Sequence, residues 1–293
     1  MLKSLNFPTV CFMWTLIISS PLSAMEIMKT PGGTTFLQGD IVVGDYEKIT
    51  DYISQNRQFP IQFVLASNGG NVVEAIKIGR LFRDAKVVVE LFSCNSACFL
   101  LWVGAPIRQG AVDMLPQFQL HRPFFDQSTY QGVPLDQAIA LHEAAEREFS
   151  AYLLEMGVPL FFIERILTYS STDSYELTGA EVEGIVGARA RAIEEILMAR
   201  CGELTNSESA DLKRVRSYHS AQEALDTFPT AGDPVDKSIF EERYRAHEPF
   251  VSSLSQGYIE YLQTKSREVV DCEGRILFEE QVAYLRGAGI INF

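Results

Sequence analysis

Between Thr34 and Val186, short apolar runs alternate with longer stretches in which apolar residues return every three or four positions. These are the periods of strand and helix. Phe36-Leu37-Gln38 and Ile41-Val42-Val43 predict strands, and Tyr46 to Gln55 predicts a helix with Ile49, Tyr52 and Ile53 on one face. Ile61 to Ala66 reads as a buried strand and Ser67-Asn68-Gly69-Gly70 as a turn. A helix carrying Val72, Val73, Ile76, Ile78, Leu81 and Phe82 follows. Lys86 to Phe92 repeats the strand pattern, and Phe99 to Val103 forms an apolar helix. Strands separated by helices of this length call for parallel pairing through crossovers, hence an α/β sheet covered on both faces. Leu135 to Met156 predicts a long helix stopped by Gly157-Val158-Pro159. Beyond Cys201 the pattern is mainly amphipathic helix, as in Ser209 to Leu225 and Ile239 to Ala246, with a turn at Ala231-Gly232-Asp233-Pro234.

The amino terminus departs from this alternation. Met1 to Ala24 carries Lys3 as its only charge, then an apolar run from Val10 to Ile18, then Ser19-Ser20-Pro21-Leu22-Ser23-Ala24. That is the layout of a signal peptide, and the apolar run is about half of the ~20 residues a membrane-spanning helix needs. The expected division is residues 1–24 as signal peptide, 25–200 as an α/β domain and 201–293 as a mainly helical extension. The expected location is periplasmic or secreted, with an uncleaved membrane anchor as the lesser alternative. Cys11 would leave with the leader, so Cys94, Cys98, Cys201 and Cys272 remain as disulfide candidates in an oxidising compartment. Cys94 and Cys98 lie four residues apart. If they pair, Cys201 and Cys272 are left for each other; otherwise each pairs with Cys94 or Cys98, or the four stay buried thiols.

Charge narrows the partners. The net charge of −13 and the scattering of the 25 Lys and Arg residues argue against nucleic acid and anionic membrane surfaces. His142, His219 and His247 lack a second ligand at metal-binding spacing, so no metal site is argued.

Two turns have chemistry available to them. Ser67-Asn68-Gly69-Gly70 stands where a strand's carboxyl end becomes a helix, the place where open α/β sheets bind ligands. Cys94-Asn95-Ser96-Ala97-Cys98 puts a serine at the next such turn. Ser96 there is either a helix cap or a nucleophile with the Ala97 N–H beside it. His121 follows Ser96 by 25 residues at the end of the run Phe118-Gln119-Leu120.

The run Leu65 to Val72, the Ser96-Ala97 helix start, the serine-to-histidine spacing and Leu120-His121-Arg122-Pro123 resemble the Clp protease proteolytic subunit. They also resemble its exported relatives in the ClpP/crotonase superfamily. Tyr152 to Gly157, Phe162 to Ile166 and Thr172 to Glu181 resemble the family's handle helix, the segment after it and its aspartate loop, so the likeness spans about residues 34–187. The resemblance implies stacked ββα units with Ser96 as nucleophile, His121 as general base, Asp173 as orienting carboxylate, and backbone N–H groups of Gly69, Gly70 and Ala97 as an oxyanion hole. Asn68 and Ala97 stand where the proteases usually have Pro and Met, and Asp173 is one residue further from Leu177 than the family pattern. The segment that would dock an ATP-driven unfoldase is not recognisable.

The function implied is an exported serine hydrolase, a peptidase acting on peptide or protein without ATP or any cofactor. Self-association into a homo-oligomer is compatible with it. The alternative is a catalytically inactive scaffold of the same fold that holds extended peptides. An acyl-CoA enzyme is a third reading, disfavoured because CoA is not expected outside the cytoplasm and no basic patch for its phosphates is evident.

Overall fold

A computed structural model describes residues 24–292 apart from 57, 110–115, 126, 171 and 228–233. All but the last residue of the signal-peptide segment 1–24, and most of the turn at Ala231 to Pro234, therefore lie outside the described residues. Elements follow in chain order as β1 (Glu26–Lys29), β2 (Thr35–Gln38), α1 (Asp45–Gln55), β3 (Gln62–Ser67), α2 (Val72–Asp84), β4 (Val88–Cys94), α3 (Cys98–Gly104) and β5 (Ile107–Gln109). After them come β6 (Pro116–Leu120), α4 (Gln127–Tyr130), α5 (Leu135–Glu155), α6 (Leu160–Leu167), β7 (Tyr175–Thr178), α7 (Gly179–Val186) and α8 (Arg191–Cys201). The helical carboxyl-terminal part is α9 (Asn206–Thr227), α10 (Pro234–Ser253) and α11 (Gln256–Gly287).

The main sheet has the order β1-β2-β3-β4-β5. β1 pairs antiparallel with β2, and β2 to β5 run parallel, each reached through one helix. This is the α/β alternation the periodicity demands, because parallel neighbours cannot be joined by a tight turn. β6 and β7 form a separate antiparallel pair. β3 buries Phe63 and Leu65 completely, and these join Ile76, Ile78 and Phe82 of α2 and the apolar face of α3 in one core. Tyr152 of α5 is also fully buried and donates its hydroxyl to the Leu100 carbonyl at 2.7 Å, seating the long helix on α3.

Two predicted strands change. Ile41-Val42-Val43 forms no strand of its own: Ile41 makes a single bridge to Gly70, Val42 N–H goes to the Asp45 carboxylate at 2.7 Å, and Gly44 at φ 101° turns the chain into α1. The fourth strand begins at Val88, not Lys86. Lys86 adopts φ 53° and closes α2, with Lys86 N–H on Arg83 O and Val87 N–H on Phe82 O. Those two bonds are a Schellman closure, so this apolar segment is spent on ending a helix before it can pair.

The helical tail is fixed to the sheet. Leu285 and Ile291 enter the main core, and Ile276 and Leu277 pack with Val88, Ile107 and Leu197. Gln281 is fully buried; its side-chain oxygen accepts the Ile61 N–H at 2.8 Å and its amide donates to the Lys86 carbonyl at 2.7 Å. Cys201 and Cys272 are bonded, with Cα atoms 5.6 Å apart, tying α8 to α11. Arg108 is buried, and among the described residues it has no carboxylate partner. Its guanidinium donates to the carbonyls of Trp102 and Val103 at the end of α3 and of Val186 and Gly187 at the end of α7. Burial pulls its pKa down to about 10.

Candidate active site

Both turns singled out by sequence lie at the carboxyl ends of neighbouring parallel strands, and the structure interlocks them. Ser67 and Cys94 are register partners, and Asn95 N–H donates to the Ser67 carbonyl at 2.9 Å. Gly69, at φ 104°, sits directly under the serine turn: a Cβ there would lie 2.7 Å from Ser96 Cβ, 2.8 Å from Asn95 O and 2.9 Å from Ala97 N. Only glycine permits that approach.

Ser96 itself has φ 51°. For a residue with a side chain this left-handed conformation costs about 1–2 kcal/mol and persists only where the surroundings impose it. Here the impositions can be named. Ser96 N–H donates to Gln119 O at 2.8 Å, and Gln119 N–H donates to the Asn95 side-chain oxygen at 3.0 Å. A disulfide between Cys94 and Cys98, with Cα atoms 5.2 Å apart, closes the turn from below. Sequence reasoning does not single out the Asn95 side chain. Its signal is position: an amide inside a sharp turn can stand in for a missing strand partner.

The reciprocal bonds to Gln119 also fix the end of β6, two residues before His121. Ser96, His121 and Asp173 line one cavity of about 400 Å³ together with Asn68, Asn95, Gln119, Thr172 and Ser174. His121 Nδ1 is 2.9 Å from the Arg122 carbonyl oxygen. A carbonyl only accepts, so in the neutral ring Nδ1 carries the proton and Nε2 keeps the lone pair. Asp173 is exposed, and its Oδ1 accepts the N–H of Ser174 at 3.0 Å. Among the described residues, no hydrogen bond joins Ser96 to His121 or His121 to Asp173. The three groups share a cavity without being linked, and Arg122 holds the tautomer that the family resemblance assigns to Asp173.

The backbone donors differ among themselves. Gly69 N–H donates to the Ser67 hydroxyl at 3.2 Å, while the Gly69 carbonyl accepts from Ile41 at 2.7 Å. Gly70 N–H and Ala97 N–H have no acceptor among the described residues. Ala97 directly follows Ser96, whereas Gly70 packs against the backbone of Ile41. Among the described residues no group of three or more His, Cys, Asp or Glu side chains could hold a metal ion.

No protein-family model and no curated protein sequence matches the chain. Among the 111 solved chains that match part of it are two proteases. One is the 1510-N membrane-bound stomatin-specific protease in a serine-to-alanine form, at 19% identity over 57% of this chain and 83% of that one, with a TM-score of 0.38. The other is the ClpP protease catalytic domain from Plasmodium falciparum, at 14% identity over 53% of this chain and 80% of that one, with a TM-score of 0.32. At these similarities neither structure bears on the chemistry of Ser96.

Proposed function

We propose that the protein is an exported serine hydrolase, a peptidase that works through an acyl-enzyme on Ser96 without ATP. The observation that carries the reading is the shared cavity of Ser96, His121 and Asp173; the candidate oxyanion donors are the N–H groups of Gly70 and Ala97, which have no acceptor among the described residues. His121 Nε2 takes the proton of the Ser96 hydroxyl as the oxygen attacks a carbonyl carbon, and the developing oxyanion is held by the two N–H groups. The same proton then passes to the leaving amine. Water, deprotonated by His121, releases the acyl group and restores the hydroxyl to Ser96. Asp173 stabilises the imidazolium from across the cavity.

Residues 1–24 act in this proposal as the export signal, 25–200 as the hydrolase domain and 201–293 as its helical extension, with periplasmic or secreted location. Two bonded cysteine pairs fit an oxidising compartment. Among the described residues no helix is long and apolar enough to cross a membrane. A homo-oligomer is compatible with this arrangement.

The test is labelling by a fluorophosphonate probe. The native chain is expected to be modified at Ser96 and the Ser96→Ala variant not at all, with its melting temperature nearly unchanged. An unlabelled native protein favours the second reading, an inactive scaffold that holds extended peptides. The missing hydrogen bonds among Ser96, His121 and Asp173 are the observation in its favour.

A further inference from the structure

Resting on the hydrolase reading, we propose that the Ser96 cavity receives a polar, non-anionic side chain of the substrate in preference to an apolar one. Apart from the three residues assigned to chemistry, the cavity wall consists of Asn68, Asn95, Gln119, Thr172 and Ser174. That is three amides and two hydroxyls; among the described residues no aliphatic or aromatic side chain belongs to it. Phe124, whose ring centroid lies 5.3 Å from that of His121, is not part of the wall.

Some of the wall's hydrogen-bonding capacity is spent internally. Asn95 donates to the Asn68 side-chain oxygen at 3.5 Å, Gln119 donates to Glu176 at 3.4 Å, and the Thr172 hydroxyl meets that of Ser170 at 3.0 Å. The rest is open. Among the described residues the Asn68 amide nitrogen, the Gln119 side-chain oxygen and the Ser174 hydroxyl have no partner. A substrate amide, hydroxyl or ammonium can pair with such groups. An aliphatic or aromatic side chain would strip their water and give nothing back, and sites of this kind discriminate more strongly than an apolar pocket does over a methylene. Charge sets the remaining limit. Asp173 lines the cavity, Glu176 stands behind Gln119, and among the described residues no Lys or Arg lines it, so a carboxylate is repelled.

The experiment uses fluorogenic peptides that differ only in the residue whose carbonyl is attacked, carrying Gln, Ser or Lys against Leu, Phe or Glu. The native protein is expected to cleave at least one of the first three with kcat/KM at least about tenfold above all of the second. Cleavage of the Leu, Phe or Glu peptide at an equal or higher rate overturns the inference. Equilibrium binding of the same peptides to Ser96→Ala reads the preference without turnover, with Gln expected about tenfold tighter than Leu. Equal or weaker binding of Gln overturns it there too. If that preference is found while the native protein takes no fluorophosphonate, the hydrolase reading fails and the cavity assignment stands. If labelling occurs without the preference, the hydrolase reading stands and the cavity assignment fails. Asn68→Leu is expected to shrink the Gln-to-Leu ratio severalfold.

Discussion

Gly69 and Gly44 form a natural experiment. Their φ values, 104° and 101°, are nearly the same, so an alanine at either position suffers the same backbone penalty of about 1–2 kcal/mol. What differs is the space. Around Gly44 a Cβ meets nothing within 4 Å, whereas at Gly69 it meets Ser96 Cβ, Asn95 O and Ala97 N at 2.7, 2.8 and 2.9 Å. Real Cβ contacts begin some tenths of an ångström farther out, and two of these three neighbours are backbone, which cannot rotate aside. Forced overpacking of this kind adds about 1–3 kcal/mol. At roughly 2–4 °C per kcal/mol, Gly44→Ala should lower the melting temperature by roughly 2–8 °C and Gly69→Ala by more. Function should separate them further. Relief of the clash at Gly69 moves the Ser96 oxygen and the Ala97 donor together, and a displacement near 1 Å costs about 100-fold in rate. Calorimetry and the rate of fluorophosphonate labelling measure the two effects. Gly44→Ala should label at the native rate and Gly69→Ala about 100-fold more slowly; equal labelling of the two variants refutes the role given to Gly69.

Three further outcomes follow from local geometry. Asp173→Asn should slow peptide cleavage less than His121→Ala does, because Arg122 O already holds the Nδ1 proton; equal losses would mean that His121 turns to Asp173 during the reaction. Gln281→Leu leaves the buried Ile61 N–H unpaired, at about 1–3 kcal/mol, and takes the partner from the part-buried Lys86 carbonyl, so the melting temperature should fall while Ser96 labelling holds. Burial pushes the Glu74 carboxyl up, but the N–H bonds from Tyr46 and Gly44 and the Lys77 ammonium outweigh it and hold the pKa below the usual carboxylate range. A depressed folded pKa contributes stability above the unfolded value that is lost as pH falls through the folded one, so Glu74→Gln should flatten the acid limb of the melting curve.

The elements that periodicity reads best are those whose burial is set by one neighbour. α1, α2 and β3 appear within a residue or two of their sequence bounds because Ile49, Ile53, Phe63, Leu65, Ile76 and Phe82 all face one core. Ile41-Val42-Val43 has strand composition but no strand, since Gly44 and Asp45 claim the next residues for a helix start, and Val43 ends 77% exposed. Composition reports propensity; pairing needs a free neighbour. At the site, Ser96 and His121 are legible through flanking residues that deliver them to strand ends. The tautomer of His121 is not, because it depends on the backbone carbonyl of the next residue, which every sequence offers equally. Asn95 is silent for a related reason: its work is a bond to a backbone N–H 24 residues away, and backbone groups leave no mark in a sequence.

The arrangement of tail and site follows from which strand ends are still available. Gln281 binds Ile61, just before β3, and Lys86, two residues before β4, while Ser67, Gly69 and Ser96 stand at or just past the far ends of the same strands. At about 3.3 Å per residue, the six residues of β3 put roughly 20 Å between the tail's buried anchor and the serine turn. The carboxyl ends of parallel strands are where helix starts and loops leave backbone donors uncommitted, and the amino ends are where an incoming polar clasp finds N–H and C=O groups that the ladder has not used. A helical extension that must bury part of its own surface therefore loses least by docking at the amino ends. The Cys201–Cys272 bond reinforces the same side, since it joins α8 to α11 near Ile276 and Leu277, which pack on Val88 at the start of β4. The strained Ser96 turn is held instead by its own short-range restraints, the Cys94–Cys98 bond, Gln119 and Asn95, so its conformation does not depend on the tail for support.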